Sequence, residues 1–208
     1  MKSNYLKTLP KRKSCCLAIF AMLFLFSSKI PAEEPKTEVM SGDIISACRT
    51  GNIDAFESVV HDYHADNNQL GAQLLMLLKS TQSNFSQSAS AYFLGEIHYT
   101  NSVDALAAQI AFRFHGVIMK HLVEINIPEY PAMDALVKIG TPSIPVAIQN
   151  LAESDDAQVR DLSLQVLNRI ENDKDIVRLR LQKALQAEAD PQKHMRLQTA
   201  LKSLSDLE

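Results

Sequence analysis

The chain has 208 residues, 46% of them hydrophobic and 22% charged, with three cysteines and a formal net charge of −3. The total hides an asymmetry: the first 32 residues hold six of the 21 Lys and Arg and none of the 24 Asp and Glu, which leaves the remainder at a formal −9. A body this acidic repels phosphate backbones, which argues against a nucleic-acid partner, and a single cysteine beyond the leader, Cys48, excludes an internal disulfide framework.

MKSNYLKTLPKRKS carries Lys2, Lys7, Lys11, Arg12 and Lys13, and CCLAIFAMLFLF follows it from Cys15 to Phe26. A basic stretch and then an apolar run of this length reads as a secretory signal over residues 1–32, because the run falls short of the roughly 20 residues that span a bilayer. Ala32 is the expected cleavage point. Cys15 and Cys16 precede the apolar run, so neither suits lipid attachment. The expected address is periplasmic or secreted, with no stable membrane span after cleavage. An uncleaved leader instead gives a membrane-anchored structural protein.

Residues 33–40, EEPKTEVM, are polar and lack apolar period, and read as a disordered leader to the domain. Residues 41–66 read as an N-terminal helical cap, a short helix pair turned by Thr50-Gly51-Asn52. Cys48 takes a small apolar position there, with an intermolecular disulfide as the alternative. His61 and His64 stand at a spacing seen in metal sites, but they run into a helix-ending Asp-Asn-Asn and no third ligand is indicated.

From about Ile44 to the end the apolar period is helical, apart from one interruption, and a pattern recurs. SASAYFLGEI, PAMDALVKI and LSLQVLNRI each place Leu three before a final Ile (Leu94, Leu136, Leu167) and a small residue seven before it (Ser90, Ala132, Ser163). Each is followed by a polar turn and a second amphipathic helix, NSVDALAAQI, TPSIPVAIQNL and DKDIVRLRLQKAL. MRLQTALKSL reads as a partial fourth copy. Anchors 42 and then 31 residues apart have the period of stacked helical hairpins, in which small residues let backbones approach at crossings. Gly140 suits a left-handed helix end, Asp155 with Gln158 a capping box, and Asp190-Pro191 a helix start.

The longer first interval marks an insertion over 112–130. FRF at 112–114 and VEINI at 123–127 alternate, so the segment reads as a β-hairpin or loop rising from the helices through HGVIMKH. Phe112, Phe114, His115, His121 and Tyr130 are its candidate binding residues, since exposed aromatic and amphipathic side chains suit a partner surface. The competing reading has Phe112, Val117, Ile118 and Ile125 folding back as a plug over the neighbouring helices.

PVAIQNLAESDDAQVRDLSLQVLNRI resembles a HEAT repeat of the compact bacterial type grouped with phycobilisome lyases, through Pro145, Ile148, Leu151, the acidic Asp155-Asp156 turn, Val159-Arg160, Ser163, Leu167 and Ile170. In the SASAYFLGEI copy Gly95 follows the pattern while Ser86-Gln87 replaces Val-Arg, and Asn168 stands at the glycine position of the best copy. The resemblance implies an all-α fold, a short right-handed α-solenoid over 67–208 carrying the 112–130 insertion. It is nearly silent on activity. No catalytic signature, metal set or cofactor fingerprint is present, and His98 and His194 read as exposed. Arg178 and Arg180, with Arg169 and Lys174, interleave with Glu171, Asp173 and Asp175 as a self-neutralising face. The expected function is an exported non-catalytic scaffold or adaptor for a protein or peptide. A lyase-like accessory enzyme is the alternative.

Overall fold

A computed structural model describes residues 43, 46–47, 54–55, 58, 67–80, 83–120 and 123–205. They belong to one unit, Lys36–Glu208. The expected signal segment, the 33–40 leader, Cys48, His61, His64 and His121 lie outside the described residues, as does most of the 41–66 cap.

The described residues form an all-α fold with one strand pair. In chain order come α1 (Asn67–Lys79), α2 (Asn84–Glu96), a 3-10 turn (Thr100–Ser102), α3 (Val103–Ala108), β1 (Val117–Lys120), β2 (Val123–Asn126), α4 (Pro131–Ile139), a second 3-10 turn (Thr141–Ser143), α5 (Ile144–Glu153), α6 (Ala157–Glu171), α7 (Lys174–Ala187) and α8 (Pro191–Ser205). Local chemistry accounts for most boundaries. Gly140 takes φ +81°, open to glycine at little cost, and ends α4. Asp156 Oδ1 accepts the Gln158 amide at the start of α6, so the cap falls one residue later than the Asp155 box the sequence suggests. Asp173 caps α7 and Asp190 caps α8 in the same way.

The helices lie in two rows. α2, α4, α6 and α7 pack successively in one, and α1, α3, α5 and α8 in the other, with α1 against α2, α3 against α4, α5 against α6 and α7 against α8 between rows. The packed pair is therefore the second helix of one sequence copy with the first helix of the next, a phase shift from the units read along the chain. The repeat anchors explain the seam. Leu94, Leu136 and Leu167 are fully buried, and so are Ser90, Ala132 and Ser163 at the crossings. A Cβ on Gly95 would come within 2.8 Å of the Ala135 Cα, so the α2–α4 approach requires glycine.

α2 buries an unusual number of hydroxyls. Ser88 and Ser90 resolve this internally, donating to the carbonyls of Asn84 and Ser86 one turn back at 2.7 and 2.6 Å, so no buried donor is left without a partner at either position. Ser163 at the equivalent place in α6 has no hydrogen-bond partner, and neither has the Asn168 Oδ1.

A second repeat appears only in three dimensions. Gln109 Nε2, beyond the end of α3, donates to the Leu78 carbonyl of α1 at 3.1 Å, Asn150 of α5 donates to the Ala107 carbonyl of α3 at 3.3 Å, and Arg196 of α8 donates to the Ala152 and Glu153 carbonyls of α5 at 3.2 and 2.7 Å. Each donor directly precedes a buried anchor, Ile110, Leu151 or Leu197. Helix C-termini leave carbonyls without intrahelical partners, and this row closes them with a side chain from the next helix. Arg196 lies in the first half of α8, whereas Asn150 and Gln109 lie at the far ends of theirs. Thus α8 meets the end of α5 with its own beginning, and the closing pair runs in the reverse sense. The fourth sequence copy accordingly packs on α5 and not in the row of α2, α4 and α6 that its register predicts.

Candidate interaction surface

The insertion is tied down at its base. Val117 pairs with Asn126 and Lys120 with Val123 in antiparallel register, and the pairing continues through Ile127 N to Gly116 O at 2.9 Å and Phe114 N to Glu129 O at 3.0 Å. The first strand is thus Val117–Lys120, not the 112–114 stretch that the alternation indicates. Phe112 is half-buried. Phe114 meets the ring of Phe85 edge-on at 5.7 Å between centroids, and Arg113 pairs with Glu129. Tyr130 packs partly against the core, and its hydroxyl accepts from Gln158 Nε2 at 3.0 Å. His115 is exposed, and Val117 beside it is 38% exposed. Ile127 is buried, whereas the side chains of Ile118 and Ile125 lie outside the described set. The segment therefore divides: Phe114, Ile127 and Tyr130 turn to the helices, and His115 and Val117 turn to solvent.

Across the α2–α4–α6 row runs a chain of charges. Lys138 Nζ lies 2.7 Å from Glu96 Oε1 and 3.0 Å from Asp134 Oδ2, and sits 4.4 Å from the centre of the Tyr92 ring. Arg169 reaches Asp134 at 3.4 Å. Burial opposes the Lys138 charge, but the hydrogen bonds it donates to Glu96 and Asp134, and then their charges, outweigh it and raise its pKa above the ordinary lysine value. His98, in the left-handed region at φ 50°, ties the end of α2 to the Lys138 carbonyl through Nδ1 at 2.6 Å. These groups satisfy one another and serve the row's packing.

The arrangement differs where α5, α6 and α8 meet. A cleft of about 200 Å³ opens there over Leu151, Ala157, Leu164 and Ala200, rimmed by Arg160, Asp161, Arg196, Thr199 and Ser203. Arg160 Nη1 donates to the Ser154 and Asp155 carbonyls at 2.9 Å each, and Arg196 pairs with Asp155. The two guanidiniums thus hold the α5–α6 loop from both sides. Lys193 adds a 2.7 Å ion pair with Glu153, and the Lys193 ammonium, followed by the Gln149 amide, holds the Glu153 carboxyl below the usual range. Nothing in the linear sequence joins Arg160 to Arg196; the equivalence of Arg196 with Asn150 and Gln109 shows only in the folded chain.

Among the described residues no group of three or more His, Cys, Asp or Glu stands where it could hold a metal ion, and no helix is long and apolar enough to cross a membrane. The chain matches no protein-family model and no curated protein, so the HEAT-like resemblance rests on the residues that carry it.

Proposed function

We propose that this chain is an exported adaptor without chemistry of its own, a short right-handed α-solenoid of HEAT-like helix pairs that holds a protein or peptide segment where the closing pair turns back. The observation that carries this reading is the α5–α6–α8 cleft, whose floor is aliphatic and whose rim presents two arginines, a carboxylate and two hydroxyls. At about 200 Å³ it is smaller than the roughly 300–1,000 Å³ of small-molecule sites. That size suits an anchoring side chain of a peptide. Leu151, Leu164 and Ala200 favour an aliphatic residue, with the Thr199 and Ser203 hydroxyls at the rim beside it.

The test is site-specific photocrosslinking in cells that make the full chain, with the photoreactive residue placed in turn at Thr199 in the cleft, His115 on the insertion and Asp104 on α3. A discrete adduct at Thr199, absent at Asp104, is the expected result. Equal labelling at all three positions, or none at Thr199, would remove the cleft as the binding surface. Intact mass of the same exported material reads whether residues 1–32 are lost.

A further inference from the structure

Among the described residues, α7 is the last helix in the row of α2, α4, α6 and α7, and its outward side is not purely polar. Ile176 is 40% exposed and Leu179 66% exposed. Around them, Asn172, Asp175, Gln182, Lys183 and Gln186 are all exposed. Within α7, Ile176, Leu179, Lys183 and Gln186 follow one another at steps of three, four and three, the spacing of a seam that packs against a second helix.

The charge order on this face is self-complementary. An antiparallel helix related to α7 by a two-fold axis at Leu179 brings residues together when their numbers lie equally far on either side of 179. Asp175 then faces Lys183 of the second copy, and Lys183 faces its Asp175. Leu179 meets Leu179, and each Ile176 lies one turn away facing Gln182 of the second copy, so the apolar centre is the Leu179 pair flanked on either side by one Ile176, between two opposite-charge pairs. A parallel arrangement would instead set Asp175 against Asp175 and Lys183 against Lys183. Asp175 also pairs with Arg178 of its own helix, but its side chain is 86% exposed and a surface pair of this kind holds weakly.

We propose that the α7 face is a self-association surface, occupied by α7 of a second copy in antiparallel register about Leu179. A single helix crossing buries less than the roughly 1,200 Å² that marks the low end of stable interfaces, so the dimer is weak and exchanges rapidly. It lies on a different side of α7 from the helices it packs against within its own chain, and does not require an occupied cleft.

Sedimentation velocity of the full chain, from low micromolar to near-millimolar concentration, tests this with three variants. The unsubstituted chain shows a reversible monomer–dimer equilibrium. Leu179→Glu abolishes it, with helical circular dichroism and melting temperature kept because the side chain is exposed. Lys183→Glu, which sets a carboxylate opposite Asp175 twice in each dimer, weakens association about tenfold. Adding Asp175→Lys to Lys183→Glu restores both pairs with reversed sign and returns the dissociation constant to within about twofold of the original. A chain that stays monomeric near millimolar concentration overturns the proposal. So does association unmoved by Leu179→Glu, which would come from elsewhere in the chain, or a double variant no better than Lys183→Glu alone, which would refute the register.

Discussion

The α2–α4 contact and the α5–α8 contact join neighbours within a row, but they are made differently. In the first, Gly95 lies against the backbone of Ala135, Ser90 hides its hydroxyl in its own helix, and Leu94 and Leu136 are fully buried. In the second, one arginine and one lysine reach across to the end of α5 and its loop. Close approach through small residues leaves no room between helices, whereas the Arg196 and Lys193 side chains bridge to the α5 end and its loop from beside the cleft. The cleft lies at the second kind of contact.

The difference is broken most forcefully at the tight end. Leu136→Ala removes a fully buried anchor and costs about 2–5 kcal/mol in chemical denaturation. Gly95→Ala drives a methyl group against Ala135 and costs about 1–3 kcal/mol; an unchanged denaturation midpoint would mean the helices do not approach as described. Arg196→Ala leaves the Ala152 and Glu153 carbonyls without their donor and costs about 1–3 kcal/mol, with faster amide exchange in α8 while α2 and α4 keep theirs.

Two smaller effects sharpen the contrast. Ser163→Ala deletes a buried hydroxyl that has no partner and raises stability by up to about 1 kcal/mol, whereas Ser90→Ala, which loses a made bond, gains nothing. Lys138→Met keeps the stem over Tyr92 but loses the charge between Glu96 and Asp134. Because the folded pKa of Lys138 lies above the ordinary lysine value that the unfolded chain retains, its stabilisation is fully present below that unfolded value and is lost as pH rises through the folded one. The gap in stability between the two chains therefore holds constant through neutral pH and closes in strong alkali.

Much of the helical architecture was legible along the chain because its signals are local. The Leu-and-small-residue register marked the buried seam, Gly140 and Asp190 marked helix ends, and the longer interval marked the insertion. What the linear pattern missed depends on which surfaces meet. The recurring register identifies similar helices without saying whether a helix packs on the one before or the one after, so the paired units came out one helix out of phase. Phe112–Phe114 alternates like a strand, yet Phe114 turns onto Phe85 and the strand begins at Val117. The reversal of α8 was hidden because Leu201 and Leu204 fit the anchor pattern in either direction. Only the donors Gln109, Asn150 and Arg196, at different depths in their helices, reveal the turn, and the cleft follows from it.

Zero-length carbodiimide coupling with peptide mapping tests that reversal most directly, because it joins only amines and carboxylates already in contact. Beside the Lys138–Asp134 product within α4, two inter-helix products are expected in the folded chain, Lys138 joined to Glu96 within the regular row and Lys193 joined to Glu153 at the reversed closing pair. If Lys138–Glu96 forms while Lys193 couples to carboxylates of α6 in place of Glu153, α8 lies in the other row, and both the reversal and the cleft it creates are wrong.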